Sequence, residues 1–225
     1  MLGKTNLDQF ATGLVGTRSP YGAVPNSFDN SFISGGSSSG SASVVARGLV
    51  PFALGTDTAG SGRVPAGFNN LVGWKPTRGA FSTSGVVPAC RSLDCVSLFT
   101  LTLADSRLLA TLVTSFDGSD SYSRQAPVPL PRQGVGSRPR LAIPSVMEWF
   151  GDSEQQAAFE QSCRELQAAG ARIEAIDFSP MYALAKLLYE GPWVAERHAA
   201  LETFMIEHKS AMDPTVASIV STASR

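Results

Sequence analysis

The pattern of apolar and polar positions predicts strands and helices that alternate along the first half of the chain. Residues 51–57 form a short apolar run bounded by turn residues, which is typical of a buried strand. Residues 41–49 predict a helix that follows a Gly/Ser loop and ends near Gly48. The pattern also predicts two short elements over residues 71–76 and 84–88. It predicts a helix over residues 102–113, with leucines at helical spacing: Leu103, Leu108, Leu109 and Leu112. The first 115 residues therefore predict one mixed α/β unit.

The second half of the chain follows a connecting segment. Residues 117–139 are rich in proline and glycine and show little periodicity, which is typical of a surface connection. Residues 140–143 then predict a strand, residues 153–169 an amphipathic helix and residues 172–178 a second strand. Together they predict a β-α-β unit. The pattern from residue 181 onward is helical.

The composition indicates a globular protein and excludes several classes. Apolar residues make up 43% and charged residues 16%, and the net charge of −1 leaves no basic footprint for nucleic acid. No run approaches the roughly 18 apolar residues of a membrane span. The histidines lack a cluster that predicts a metal site, and the cysteines lack the spacing of a disulfide framework, so we expect no metal, no cofactor and a cytoplasmic location. These residues are His198, His208, Cys90, Cys95 and Cys163.

Two blocks rich in glycine and serine flank the strand predicted over residues 51–57. Residues 35–42 read Gly-Gly-Ser-Ser-Ser-Gly-Ser-Ala, and Ser61 follows Ser37 by 24 residues within the second block, residues 55–66. A flexible linker is the plain alternative for the first block. We disfavour it because the linker composition stops abruptly at an apolar segment.

Turns of this kind meet two needs of a serine nucleophile. A serine hydroxyl requires a base within hydrogen-bond reach, and the anion that its attack creates requires fixed donors. Small residues around Ser61 let the backbone approach a substrate, so the N–H groups of four consecutive residues are candidates for an oxyanion hole. These are Thr58, Ala59, Gly60 and Ser61. Tight glycine turns also occur for purely structural reasons.

The two blocks and their spacing resemble the amidase signature family, and residues 73–79 are similar to the block that follows in that family. The resemblance covers nearly the whole chain and implies a mixed β-sheet sandwiched between helices, of which this chain carries part. It also implies a Ser-Ser-Lys triad with Ser61 as nucleophile, Ser37 as bridging serine and Gly36 at the substrate. The lysine of that triad would lie upstream of residue 1, and Lys4 is a weak substitute because it matches a separate block.

Residues 188–197 resemble a segment of the allophanate hydrolases, a branch of this family, in which a tyrosine and an arginine bind substrate. Tyr189 and Arg197 lie about two helical turns apart, so they share a side if Gly191-Pro192 begins a helix. An arginine fork also suits a carboxylate. The alternative, which does not depend on the resemblance, is that Tyr189 is a half-buried packing residue and that Arg197 is exposed to solvent and paired with a neighbouring glutamate.

Two charged residues beside the nucleophile have structural alternatives. Asp57 is expected to hold the turn by accepting backbone hydrogen bonds, rather than to act as an acid or base. Arg63 follows Ser61 by two residues, where it either meets an anionic substrate or braces the loop.

The resemblance implies a partial amidase domain over residues 1–225, with the signature core in 1–115, a connection in 117–139 and a substrate-binding part in 140–225. The implied activity is hydrolysis of a small anionic amide, allophanate, with release of ammonia through a Ser61 acyl-enzyme. The alternatives are another amidase-signature amidase, an amidotransferase subunit or an inactive fragment without the catalytic lysine. No nucleic acid or membrane partner is expected, and a homodimer is one candidate association state.

Overall fold

The structure, a computed structural model, describes residues 2–125 and 138–224. Contacts between residues divide the chain into two units. The first contains the described residues 2–125 and 189–224, and the second contains residues 138–188. The helices predicted after residue 188 therefore group with the serine-bearing core rather than with the β-α-β segment.

A three-stranded sheet forms the centre of the first unit. Its strands are β1 (Phe52–Thr56), β2 (Val72–Trp74) and β3 (Val96–Thr100). Both β1 and β2 pair antiparallel with β3, so the order across the sheet is β1-β3-β2. Strand β3 is almost completely buried, and it is the one strand of this sheet that the sequence pattern did not predict.

Three helices pack around this sheet and close two apolar clusters. They are α1 (Ser39–Ala46), α2 (Arg63–Phe68) and α3 (Leu103–Val113). One cluster joins α1, α2 and β3 through Ala42, Val45, Ala66 and Phe99. The other joins β3 and α3 through Phe81, Leu98 and Ala110. Thr102 caps α3 by accepting a hydrogen bond from the N–H of Asp105 at 3.1 Å.

Three details of the first unit differ from the expectations. Strand β1 forms as predicted but is half-exposed, because it lies at the edge of the described sheet and turns Leu54 toward solvent with 53% of its surface exposed. Residues 84–88 form a turn followed by irregular backbone rather than a regular element. In α3, Ser106 and Ala110 face β3, so most of the predicted leucine stripe is exposed: Leu103, Leu108 and Leu112.

The described part of the predicted connection is attached to the first unit. Asp120 is buried and accepts hydrogen bonds from the N–H and hydroxyl of Thr83 at 2.7 and 2.8 Å. Its other carboxylate oxygen lies 3.0 Å from Arg91 Nη2. Residues 117–125 are therefore held by buried polar contacts, and residues 126–137 lie outside the described part of the chain.

The second unit is the predicted β-α-β arrangement. Strands β4 (Arg140–Pro144) and β5 (Arg172–Ile176) pair in parallel, and α4 (Ser153–Ala168) connects them. Asp152 caps α4 by accepting from the N–H of Gln155 at 2.8 Å. Helix α5 (Ser179–Glu190) follows β5.

The chain ends in two helices that pack within the first unit. These are α6 (Pro192–His208) and α7 (Pro214–Ser221), and their shared cluster includes Leu201, Met212, Val216 and Val220. Gln9 ties the start of α7 to the N-terminal loop, since its side chain donates to Ala211 O at 2.9 Å and accepts from Asp213 N at 2.7 Å. No helix in the described ranges is long and apolar enough to span a bilayer.

Candidate active site

The serine-rich block is part of the folded core and not a linker. Residues 34–43 are all buried, and α1 begins inside the block at Ser39. The hydroxyl of Ser38 donates to Thr56 O at 3.1 Å and accepts from Thr56 N at 3.0 Å. Gly55 permits this contact, because a Cβ there would lie 2.6 Å from Ser38 Oγ. The block is thus fixed against the end of β1.

Ser37 lies on this loop with its side chain fully buried. Its carbonyl accepts from the N–H of Asp8 at 2.9 Å, and the preceding Gly36 N–H donates to Leu14 O at 2.9 Å. The Ser37 hydroxyl has no hydrogen-bond partner among the described residues. A buried hydroxyl that lacks a hydrogen-bond partner destabilises the folded protein. A group that forms a hydrogen bond with the Ser37 hydroxyl would therefore stabilise the site.

Ser61 lies on the turn between β1 and α2, with 3% of its surface exposed. The N–H of Ser38 donates to Ser61 O at 3.2 Å, which joins the two serine loops directly. The structure therefore places the loops of Ser37 and Ser61 side by side. Lys4, by contrast, is exposed.

Asp57 organises the turn that carries Ser61, as the sequence predicted. Its buried carboxylate accepts from the N–H groups of Gly60 at 2.6 Å and Arg63 at 3.0 Å. The Arg63 side chain adds Nε at 2.9 Å and Nη2 at 3.0 Å. Burial alone would raise the pKa of Asp57, but these hydrogen bonds outweigh it and hold the pKa below its ordinary value. Arg63 braces the loop.

The oxyanion candidates differ in their availability. The N–H of Gly60 is engaged by Asp57, so it is not free to hold an oxyanion in this arrangement. The N–H groups of Thr58, Ala59 and Ser61 donate to no acceptor in the described part of the chain. Their assignment to an oxyanion hole stays a prediction, and that of Gly60 requires its N–H to leave Asp57.

Asp94 is a buried residue at this site that the sequence analysis did not identify. Its Oδ1 accepts from Thr58 Oγ1 at 2.5 Å and from Cys90 N at 3.1 Å. Its Oδ2 accepts from Ala89 N at 2.9 Å. A carboxylate immediately before a buried strand was the available signal, but β3 itself was not recognised.

Tyr189 and Arg197 meet as their spacing predicted. Helix α6 begins after Gly191 with Pro192 at its first position, and Arg197 Cζ lies 6.0 Å from the centroid of the Tyr189 ring. Arg197 is only 1% exposed, so the alternative of a solvated arginine is wrong. Glu196 does not pair with it, since its carboxylate accepts from Ser92 instead.

The guanidinium of Arg197 is only partly satisfied. Its Nε donates to Ala89 O at 3.3 Å, and Nη2 lies 3.7 Å from Cys90 Sγ. Burial is the largest cause of a raised pKa for the Cys90 thiol and outweighs the opposing charge of Arg197, so Cys90 is neutral at pH 7. Nη1 is buried and has no partner among the described residues. A buried cation with a free donor is suited to bind an anion.

The described residues contain no group of histidine, cysteine or carboxylate side chains that could hold a metal ion. His208 lies 3.8 Å from Glu207 and against the ring of Phe204.

Comparison with known proteins identifies the class to which this fold belongs. A family model described as Amidase matches residues 1–223. The chain is 53% identical over 231 residues to the urea amidolyase of Lachancea kluyveri, covering 100% of this chain and 12% of that protein. The mixed α/β fold is, in part, that of an amidase-signature hydrolase. The chain belongs to the amidase signature family.

Two further similarities bear on function. A solved structure of selenomethionine-substituted Kluyveromyces lactis allophanate hydrolase superposes with a TM-score of 0.92 at 51% identity, covering 99% of this chain and 37% of that chain. A glutamyl-tRNA(Gln) amidotransferase subunit from Chlorobium luteolum is 48% identical over 128 residues, which is 57% of this chain and 26% of that protein. The chain thus spans much less than half the length of these proteins.

Proposed function

We propose that this chain carries the nucleophile and the carboxylate-binding residues of an amidase that hydrolyses allophanate. Similarity to the allophanate hydrolase of K. lactis supports the substrate, and the adjoining loops of Ser37 and Ser61 support the chemistry. Ser61 attacks the terminal amide carbon and Ser37 relays its proton to a base. The amide C–N bond breaks, ammonia leaves with a proton, and water then releases the acyl group from Ser61.

The observation that carries the substrate class is the state of Arg197. A buried guanidinium with one nitrogen that lacks a hydrogen-bond partner destabilises the protein unless an anion binds to that nitrogen. Allophanate offers a carboxylate at one end and a hydrolysable amide at the other. Tyr189 packs on the guanidinium and limits its orientation.

The base of the proposed triad is a lysine that the family resemblance places upstream of residue 1. Lys75 is engaged elsewhere, since its Nζ donates to Pro76 O at 2.8 Å and lies 3.6 Å from Cys95 Sγ. Lys4 is exposed whereas Ser37 is fully buried, which disfavours it as the base.

An amidotransferase subunit is the second candidate, supported by the similarity to the Chlorobium luteolum protein. Glutamine carries an amide and a carboxylate, but they are separated by more atoms than in allophanate. The length of the preferred substrate therefore distinguishes the two candidates.

Ammonia release tests the proposal on this chain and on a chimaera that adds the preceding segment of K. lactis allophanate hydrolase. The substrates are allophanate, glutamine and propanamide, which lacks a carboxylate. We expect the chimaera to prefer allophanate, and Ser37→Ala to lower its rate by about 100- to 10,000-fold. Ser61→Ala should lower the rate by at least about 1,000-fold, while the exposed control Ser84→Ala leaves it unchanged.

Each result has a distinct meaning. Activity that survives Ser61→Ala would overturn the nucleophile assignment. A chimaera that releases ammonia equally from propanamide would overturn the substrate class, and a preference for glutamine would favour the amidotransferase.

A further inference from the structure

A short bridge of buried hydrogen bonds connects the two ends of the proposed site. We call residues 57–61 the nucleophile turn and residues 89–90 the bridge. The carboxylate of Asp94 binds the turn through the hydroxyl of Thr58, at 2.5 Å, and binds both N–H groups of the bridge. The other side of the bridge contacts Arg197, through Ala89 O at 3.3 Å and the Cys90 thiol at 3.7 Å.

We propose that Asp94 is a positioning residue that sets the separation between the nucleophile turn and Arg197, and thereby selects amides short enough to reach both. The inference rests on the proposed function, because it assigns the amide to the turn and the carboxylate to Arg197. Asp94 itself touches neither substrate end. It acts through Thr58 on one side and through the bridge on the other.

The chemistry of Asp94 suits this role. It is 4% exposed, and it has no ion-pair partner among the described residues. Its charge is therefore stabilised by the hydroxyl and the two N–H groups that it holds, which makes those contacts stronger than neutral hydrogen bonds. A carboxylate accepts on both oxygens, whereas an amide has one accepting oxygen and one NH2 donor. Asparagine could keep the Oδ1 contacts with Thr58 and Cys90, but its NH2 group would then face the Ala89 N–H, so one of the two contacts with the bridge would be lost.

A second attachment keeps α6 in place when Asp94 is changed. The carboxylate of Glu196 accepts from Ser92 N at 2.9 Å and from Ser92 Oγ at 2.5 Å. Replacing Asp94 should therefore loosen the separation between the two ends of the site without releasing the helix that carries Arg197.

Binding of three small probes to the 225-residue chain tests the inference without requiring turnover. Malonamate carries an amide and a carboxylate, acetamide carries the amide alone, and acetate carries the carboxylate alone. Titrations followed by NMR report the turn through the Thr58 N–H and the other end through the Arg197 Nε–H. Asp94→Asn is the test variant, and Asp105→Asn on the exposed start of α3 is its matched control.

We expect Asp94→Asn to raise the Kd of malonamate by at least about tenfold, the loss typical of a charged hydrogen bond. The Kd values of acetamide and acetate should change less than about twofold, because a one-ended probe does not sense the separation. Thr58→Val should give the same pattern, since it cuts the Asp94 contact from the opposite side. If Asp94→Asn does not fold, Thr58→Val alone tests whether the Asp94–Thr58 contact affects malonamate binding. Thr111→Val is its control.

The contrary outcomes are separable. An unchanged malonamate Kd in both Asp94→Asn and Thr58→Val overturns the inference, and so does an equal weakening of all three probes, which indicates general loosening of the fold. A wild-type chain that binds malonamate no more tightly than acetamide, or in which Arg197→Lys has no effect on malonamate, overturns the proposed function and the inference with it.

Discussion

The Asp57 carboxylate should stabilise the nucleophile turn mainly through the backbone, and this can be measured. Asp57→Ala leaves the N–H of Gly60, which is buried, and that of Arg63, which is partly buried, without their acceptor. Each orphaned donor costs about 1–3 kcal/mol. The Arg63 side chain is 56% exposed and regains water, so its lost ion pair adds no more than about 1 kcal/mol. We expect a total of about 2–7 kcal/mol.

Urea unfolding followed by circular dichroism measures this loss, and hydrogen exchange of the Gly60 amide reports it locally. Arg63→Ala is the matched comparison, because it removes the ion pair and keeps both backbone hydrogen bonds; it should cost about 1 kcal/mol. An Asp57→Ala variant no less stable than Arg63→Ala would refute the reasoning, since the ion pair would then carry the whole effect.

The pH dependence of this difference follows from the lowered pKa of Asp57. A carboxylate whose pKa is lower in the folded state contributes stability that is fully present above its unfolded pKa of about 3.9. The contribution is lost as pH falls through the lower, folded-state pKa. The stability gap between the wild type and Asp57→Ala should therefore be constant above about pH 5 and narrow below about pH 4.

Three further changes test the surroundings of the site and the caps that position it. Gly36→Ala should lower stability by about 1–3 kcal/mol or more in thermal unfolding, because the new Cβ would lie 2.1 Å from Asp8 Oδ2; an unchanged Tm would contradict this. Gln9→Ala should cost about 1 kcal/mol and speed hydrogen exchange in α7, whereas equal exchange would show that the apolar cluster alone holds that helix. Thr102→Ala should cost about 1 kcal/mol by removing the cap on the Asp105 N–H, and Thr102→Ser should restore most of it.

Local patterning predicted the elements whose boundaries carry strong signals. The strand β1, the helix α3 and the β-α-β unit follow apolar runs or periodic positions bounded by turns or caps. Strand β3 was not predicted because it is only five residues long and includes a serine at its second position. Its identity as the central strand comes from pairing with β1 and β2, which no local pattern encodes.

The candidate site was predicted where its signal is local or carried by a family resemblance. The Gly191-Pro192 helix start and the eight-residue spacing placed Tyr189 and Arg197 together. The burial of Arg197 was not predicted, because its contacts come from residues 89–90, more than 100 residues earlier in the chain. Asp94 was missed because its link to the nucleophile turn is made by Thr58, 36 residues earlier in the chain, although Ala89 and Cys90 are close to it in sequence.

Identification of the serine that reacts with a phosphonylating probe tests the central claim most directly. A fluorophosphonate, which labels activated serine nucleophiles, is allowed to react with the chimaera described above, and the labelled peptide is found by mass spectrometry. The account predicts a label on Ser61, its loss in Ser61→Ala and labelling about 100- to 10,000-fold slower in Ser37→Ala. Labelling of Ser37 or of any other serine in place of Ser61, or a label that persists in Ser61→Ala, would contradict it.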